Sequence, residues 1–169
     1  MRRSIVDDSV RSRKILGALR ELYALLEGTG VKWTLVGSAS LALRGLDVEP
    51  GDIDIMTSEK DAYRINDLLK EYEVKPAKFG SSDLFKSHLC ELKVRGVKVE
   101  VMGGLYQKLH GCWSSVSRRQ GKTILLEADG MRIRIFRLKD ILRAMEGLGR
   151  EKDKSRILKT REAIANGKE

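Results

Sequence analysis

At 169 residues the chain is long enough for one domain with a proper buried core. It carries 33 Lys+Arg against 24 Asp+Glu, a formal charge of +9, which favours polyanions such as nucleotides or RNA, or an acidic partner. No apolar run reaches 18 residues, so a transmembrane helix is excluded, and the opening MRRSIVDDSVRSRK lacks the apolar stretch of a secretory signal. With charged residues at 34%, an ion-pair-rich surface of the thermophile kind accounts for the same composition.

In chain order, the first element is an amphipathic helix over Ser9 to Glu27, with Ile15, Leu16, Leu19, Leu22, Leu25 and Leu26 on one face, ended by Gly28 and Gly30. An apolar run, Trp33 to Val36, reads as a strand and meets Gly37-Ser38. A short small-residue helix (Ala39 to Leu43), a Pro50-Gly51 turn and the strand Asp52-Ile53-Asp54-Ile55 follow. A second helix spans Ser58 to Tyr72, with Ser58 and Asp61 forming a capping-box-like start. Residues 74–83 read as loop or short strand. His88 to Val94 and Val97 to Met102 form a hairpin about Arg95-Gly96, and Gly103-Gly104 is expected to end the second strand. Residues 105–117 are ambiguous. A further hairpin turns at Asp129-Gly130, and helices cover Leu138 to Leu148 and Glu151 to Ala165, separated by Gly149. No repeat or low-complexity linker divides the chain, so we expect a single domain over 1–169, with a core at about 31–102 and a C-terminal hairpin and helices at 122–166.

The chemistry concentrates in Lys32 to Met56. Side chains two apart on a strand point to the same face, so Asp52 and Asp54 stand side by side while Ile53 and Ile55 face the core. Two carboxylates held this close repel each other unless a cation intervenes, and Mg²⁺ is commonly held by one or two carboxylates plus substrate phosphates. Gly37 allows close backbone approach to a ligand, and Ser38 adds a hydroxyl able to cap the helix that follows. On the later strand Val97, Val99 and Val101 share one face. Glu100 lies on the other, free to point toward the Asp pair or to remain a surface charge opposite Lys93.

The pattern Gly37-Ser38, thirteen residues, Asp52-Ile53-Asp54-Ile55, then Val99-Glu100-Val101, resembles the nucleotidyltransferase superfamily (DNA polymerase β-like), over roughly Val31 to Met102. The resemblance implies an α/β (α+β) nucleotidyltransferase fold: a mixed, partly antiparallel sheet with helices packed mainly on one face. It also implies transfer of NMP from an NTP to an acceptor hydroxyl on an RNA end, a protein side chain or a small molecule such as an aminoglycoside. Asp52 and Asp54 would bind two Mg²⁺ ions (Mn²⁺ as a substitute), Glu100 would hold the one on the acceptor side, and Gly37 and Ser38 would hold the β- and γ-phosphates. In Gly149-Arg150-Glu151-Lys152-Asp153, similar to a segment of small members of the superfamily, Arg150 and Lys152 are candidates for triphosphate oxygens; a solvated helix start explains them equally. The third carboxylate is Glu where many members have Asp.

Two other sets carry less. Gly121-Lys122-Thr123 has the end of a P-loop, but that motif needs Gly where Val116 stands and a helix after it. His88, Cys90, His110 and Cys112 form a zinc-capable set with one-residue spacers, shorter than is usual, and buried thiols acting as small apolar groups are the simpler reading. With no secretory signal, two cysteines suggest reduced thiols in a cytoplasm. No sizeable acceptor-binding domain fits in 169 residues, so a partner subunit or homodimer is expected to complete the site. The alternative function is a non-catalytic nucleotide- or RNA-binding, antitoxin-like module that keeps the fold; retention of all three carboxylates argues against it.

Overall fold

The computed structural model describes residues 10–119 and 123–169. Helix α1 (Val10–Leu26) turns Ile15, Ala18, Leu19, Leu22 and Leu26 inward at helical spacing; the expected start at Ser9 lies outside the described residues. Strand β1 (Trp33–Val36) runs directly into α2 (Gly37–Leu43), and β2 (Ile53–Thr57) pairs antiparallel with β1. Helix α3 (Glu59–Leu68) is capped by Ser58, whose hydroxyl accepts from the Asp61 N–H at 3.1 Å, as its spacing predicts. The helix gives way at Leu69 to a 3₁₀ turn, Lys70–Tyr72.

Strands β3 (Glu73–Ser81), β4 (Phe85–Val94), β5 (Val97–Leu109) and β6 (Cys112–Ser115) follow, then a single helical turn α4 (Val116–Arg119). The hairpin of β7 (Ile124–Ala128) and β8 (Met131–Ile135) leads to α5 (Leu138–Leu148), a 3₁₀ turn (Glu151–Asp153) and α6 (Lys154–Ala165). The sheet order is β3-β4-β5-β2-β1-β8-β7, with β6 paired to the outer part of β5. The pairs β2–β5 and β1–β8 are parallel and the rest antiparallel, so the sheet is mixed as expected.

One face of this sheet is the main core. Ile53 and Ile55 of β2, Val99 and Val101 of β5, Leu92 of β4 and Ile133 and Ile135 of β8 pack there against α1 and α3, all nearly inaccessible to solvent. The opposite face carries Asp54 and Glu100 and is flanked by a smaller cluster of Met56, Leu105, Val116 and Phe136.

Three details depart from the sequence reading. Residues 73–81 form a full strand with two irregularities, on the edge of the sheet. Its polar, mostly exposed face has no period to detect, because pairing with β4 alone creates it. The Gly103-Gly104 pair does not end β5. A Cβ on Gly103 would lie 2.5 Å from the Ala62 Cβ, so glycine is what lets α3 close onto the strand, while Gly104 (φ +60°) makes a bulge. The bulge reverses the alternation, which is why Leu105 joins the Met56 cluster although Val101 faces the main core. Finally, Glu100 lies opposite Glu91 on β4, and Lys93 lies opposite Lys98.

Candidate active site

The backbone brings the three predicted carboxylates together. Asp54 and Glu100 are register partners on the parallel strands β2 and β5, and Asp52 sits in the bend before β2. One ligand oxygen from each lies within 4.8 Å of the others, the only such group of potential metal ligands among the described residues. Burial, more than anything else, pushes the Asp54 carboxyl up to about 7, with the charges of Asp52 and Glu100 adding to it and Lys98 opposing. The Lys98 ammonium is 2.9 Å from Glu100 Oε1 and 3.7 Å from Asp52 Oδ2. Its own pKa is raised, chiefly by the hydrogen bond to Glu100. A lysine therefore serves as the cluster's resident counter-charge.

Gly37 is fixed by the same cluster. It takes φ +66°, and a Cβ there would lie 2.5 Å from Asp54 Oδ2. Only glycine lets the β1–α2 junction pass this close to the carboxylate. Helix α2 begins at Gly37, with Val36 as its N-cap and no side-chain cap, so Ser38 lies inside the first turn rather than before it. The hydroxyl that closes this turn belongs to Ser40, donating to the Gly37 carbonyl at 2.9 Å.

Gly37, Ser38, Asp52, Asp54 and Glu100 line a cleft of about 440 Å³. Its floor is apolar, from Met56, Met102, Phe136 and Met145, and Arg150 and Lys152 line it as well. Two residues absent from the sequence prediction complete this basic side: Arg156 and the buried Asp153. Asp153 Oδ2 accepts from Arg150 Nε at 2.6 Å, and its Oδ1 lies 3.4 Å from Arg156 Nη1. Both pairs are three residues apart, a spacing that was available in the sequence. Lys98 was equally legible, two residues before Glu100 on one strand face.

The zinc-capable set does not converge. Cys90 is buried in the main core, where burial pushes its thiol up to about 12, and Cys112 is an exposed free thiol. His88 Nδ1 is 3.0 Å from the Tyr63 hydroxyl, and His110 sits against Gly147. Of the P-loop-like segment, Gly121 and Lys122 lie outside the described residues.

A mixed sheet that sets three carboxylates beside a Gly-Ser turn is an arrangement of nucleotidyltransferase type. Residues 18–158 match the family model for aminoglycoside-2''-adenylyltransferase, and the chain belongs to this nucleotidyltransferase family. A nucleotidyltransferase candidate from Thermotoga maritima is 34% identical, with a TM-score of 0.72 over 89% of this chain and 92% of that one. An antigenic nucleotidyltransferase-like protein from Paracoccidioides brasiliensis shares the fold at 16% identity, with a TM-score of 0.54 over 90% of this chain and 75% of that one. No curated protein matches the chain.

Proposed function

We propose that this protein is a divalent-metal-dependent nucleotidyltransferase that moves NMP from an NTP to an acceptor hydroxyl. The observation that carries the reading is the convergence of Asp52, Asp54 and Glu100 in a cleft that Arg150, Lys152 and Arg156 also line. The donor set fits the cofactor: three carboxylates offer hard oxygen ligands of the kind Mg²⁺ and Mn²⁺ take. Asp52, Asp54 and Glu100 would hold two such ions, which when bound supply charge neutralisation at the reacting phosphoryl oxygens.

The chain's own groups do the rest. Gly37 and Ser38 present the β1–α2 turn to the β- and γ-phosphates, and Arg150 and Lys152 neutralise triphosphate oxygens. The acceptor oxygen forms a bond to the α-phosphorus as the bond to the β-phosphate oxygen breaks, and pyrophosphate leaves. Glu100, on the acceptor side, assists loss of the hydroxyl proton. Positioning and charge carry such a reaction, so the residues needed are those that fix geometry.

The cleft draws on both the 31–102 core and the C-terminal helices, which supports reading the whole span as one functional unit. The family description makes an aminoglycoside-type hydroxyl the first acceptor to test, beside RNA ends and protein side chains. A partner subunit or second copy would complete the acceptor side of this cleft of about 440 Å³, which is at the small end of the range for ligand sites. A cytoplasmic setting belongs to the same reading; both cysteines are free thiols, as a reducing compartment keeps them.

One observation favours a second reading, a non-catalytic binding module. Lys98 already neutralises part of the carboxylate cluster, so the fold tolerates the cluster without metal. Transfer of α-phosphate label from each NTP, with Mg²⁺ or Mn²⁺, onto aminoglycosides, RNA and protein separates the two. Label that disappears in Asp52→Asn/Asp54→Asn supports the transferase. No label from a preparation that binds nucleotide and metal, with partner binding unchanged in the variant, supports the module.

A further inference from the structure

Among the described residues Asp153 is the only charged side chain that is buried, at 0% exposure. A carboxylate removed from water is costly unless its oxygens are satisfied by charged donors. Here each oxygen faces a different guanidinium: Arg150 at 2.6 Å and Arg156 at 3.4 Å. Asp153 does not cap α6 in the usual way, since its side chain accepts no backbone N–H of that helix's first turn. What it does instead is hold two arginines side by side on the wall of the cleft.

The pair is held from a second direction. The Arg150 guanidinium lies 5.4 Å from the Phe85 ring centre, a cation–π contact with the strand β4 that borders the cleft. The bond to Asp153 uses Nε, so the Nη groups of Arg150 are not spent on it. With Lys152 this edge sets three cations against one carboxylate, an excess of positive charge that suits a ligand with several adjacent anionic oxygens. A chain of phosphates brings more anionic oxygens and more charge to these three cations than a single phosphate does. Guanidiniums fixed before the ligand arrives also lose less entropy on binding.

We propose that Asp153 is the positioning residue of a polyphosphate receptor, in which its buried carboxylate fixes Arg150 and Arg156, with Lys152 beside them, as the surface that selects a triphosphate over a monophosphate. This deepens the transferase reading and rests on it for the receptor's role, but the binding is measurable without metal or turnover. The probe is tripolyphosphate, titrated calorimetrically in the presence of a chelator, with inorganic phosphate as the comparison.

The parent protein is expected to prefer tripolyphosphate by at least about tenfold. In Asp153→Asn, the amide's NH₂ would face one guanidinium and release it, and that preference is expected to fall to within about twofold. Mn²⁺ affinity at the Asp52/Asp54/Glu100 wall, measured separately by electron paramagnetic resonance, should stay within twofold and reports intact folding. If Asp153 were only a structural staple, thermal stability would drop in the variant while the anion preference held; that outcome overturns the proposal, as does a parent protein that does not distinguish the two anions. Should Asp153→Asn fail to fold, Arg150→Gln and Arg156→Gln carry the test. Each is expected to weaken tripolyphosphate binding by about threefold or more, and unchanged binding in both overturns the proposal. Polyphosphate selectivity without any label transfer would contradict the transferase reading and leave the receptor standing. Label transfer without that selectivity would do the reverse.

Discussion

The two walls of the cleft are built by different means. The acidic wall is a product of backbone register: parallel pairing of β2 with β5 sets Asp54 beside Glu100, and the buried Ile53, Ile55, Val99 and Val101 anchor the same strands from behind. The basic wall depends on side chains, with a short segment after Gly149 held by one buried carboxylate and two arginines. A register-built wall can tolerate burial and repulsion, because the core holds the charges in place, and Asp54 shows the consequence in a carboxyl raised to about 7, chiefly by burial and then by the neighbouring carboxylates. A wall built from ion pairs has to be internally satisfied. The difference predicts that disturbing the first wall changes chemistry and pH response, while disturbing the second changes ligand selection.

The largest effect expected in the acidic wall comes from Gly37→Ala. The added methyl meets Asp54 Oδ2, and its backbone is held at φ +66°, which an alanine adopts only at a cost. Label transfer should fall by roughly two orders of magnitude, a misplacement effect, and chemical denaturation should show a loss of about 1–3 kcal/mol. Parent-like kinetics would mean that the close approach has no functional weight.

Next in size is a pH effect on the metal-free protein. Asp54 is held near 7 when folded, against an ordinary value of 3.8. Between these values the folded chain keeps a proton that the unfolded chain has released, so this group's contribution to stability falls as pH rises from about 4 to 7 and then levels off. The drop should be up to about 4 kcal/mol by urea denaturation, and Asp54→Asn should remove it. Mn²⁺ affinity should move the opposite way, rising with pH up to about 7, because the ligand must be ionised. A pH-independent affinity over that range would contradict the assignment of Asp54 as a ligand.

A smaller change is expected from Lys98→Met. At pH 8, with the carboxylates ionised, removing the resident ammonium takes away a competitor for the metal. Mn²⁺ should then bind up to about tenfold more tightly, about 1.4 kcal/mol, while the metal-free protein melts at a lower temperature. Weaker Mn²⁺ binding would mean that Lys98 supports the metal site instead of competing for it. Smallest of all is Cys112→Ser, at an exposed thiol. It should leave Mn²⁺ affinity unchanged and stability within about 0.5 kcal/mol, and any loss of bound zinc on this substitution would revive the His/Cys set.

Much of the acidic wall was legible because its rules are local. Period-two patterning around Asp52-Ile53-Asp54-Ile55 and Val97 to Val101 gave both the faces and the strands. Arg95-Gly96 and Asp129-Gly130, with positive φ at all four residues, gave the turns. Helix α5 runs from Leu138 to Leu148 as its periodicity predicts. What escaped depends on neighbours. Strand β3 exists through its pairing with β4, and the β5 bulge at Gly104 is shaped by α3 packing on Gly103. The roles of Arg156 and Asp153 depend on which side of the C-terminal segment meets the cleft. Their i, i+3 spacing was visible, but the same spacing occurs on any solvated helix, and only burial of Asp153 distinguishes the two cases.

Whether the two walls serve one ligand can be seen by anomalous X-ray scattering from crystals grown with Mn²⁺ and a non-hydrolysable NTP analogue. Manganese is expected to be ligated by Asp52, Asp54 and Glu100, with the triphosphate lying between that wall and Arg150, Lys152 and Arg156. A nucleotide bound outside the cleft, or manganese away from the three carboxylates while the nucleotide is bound, would contradict this expectation.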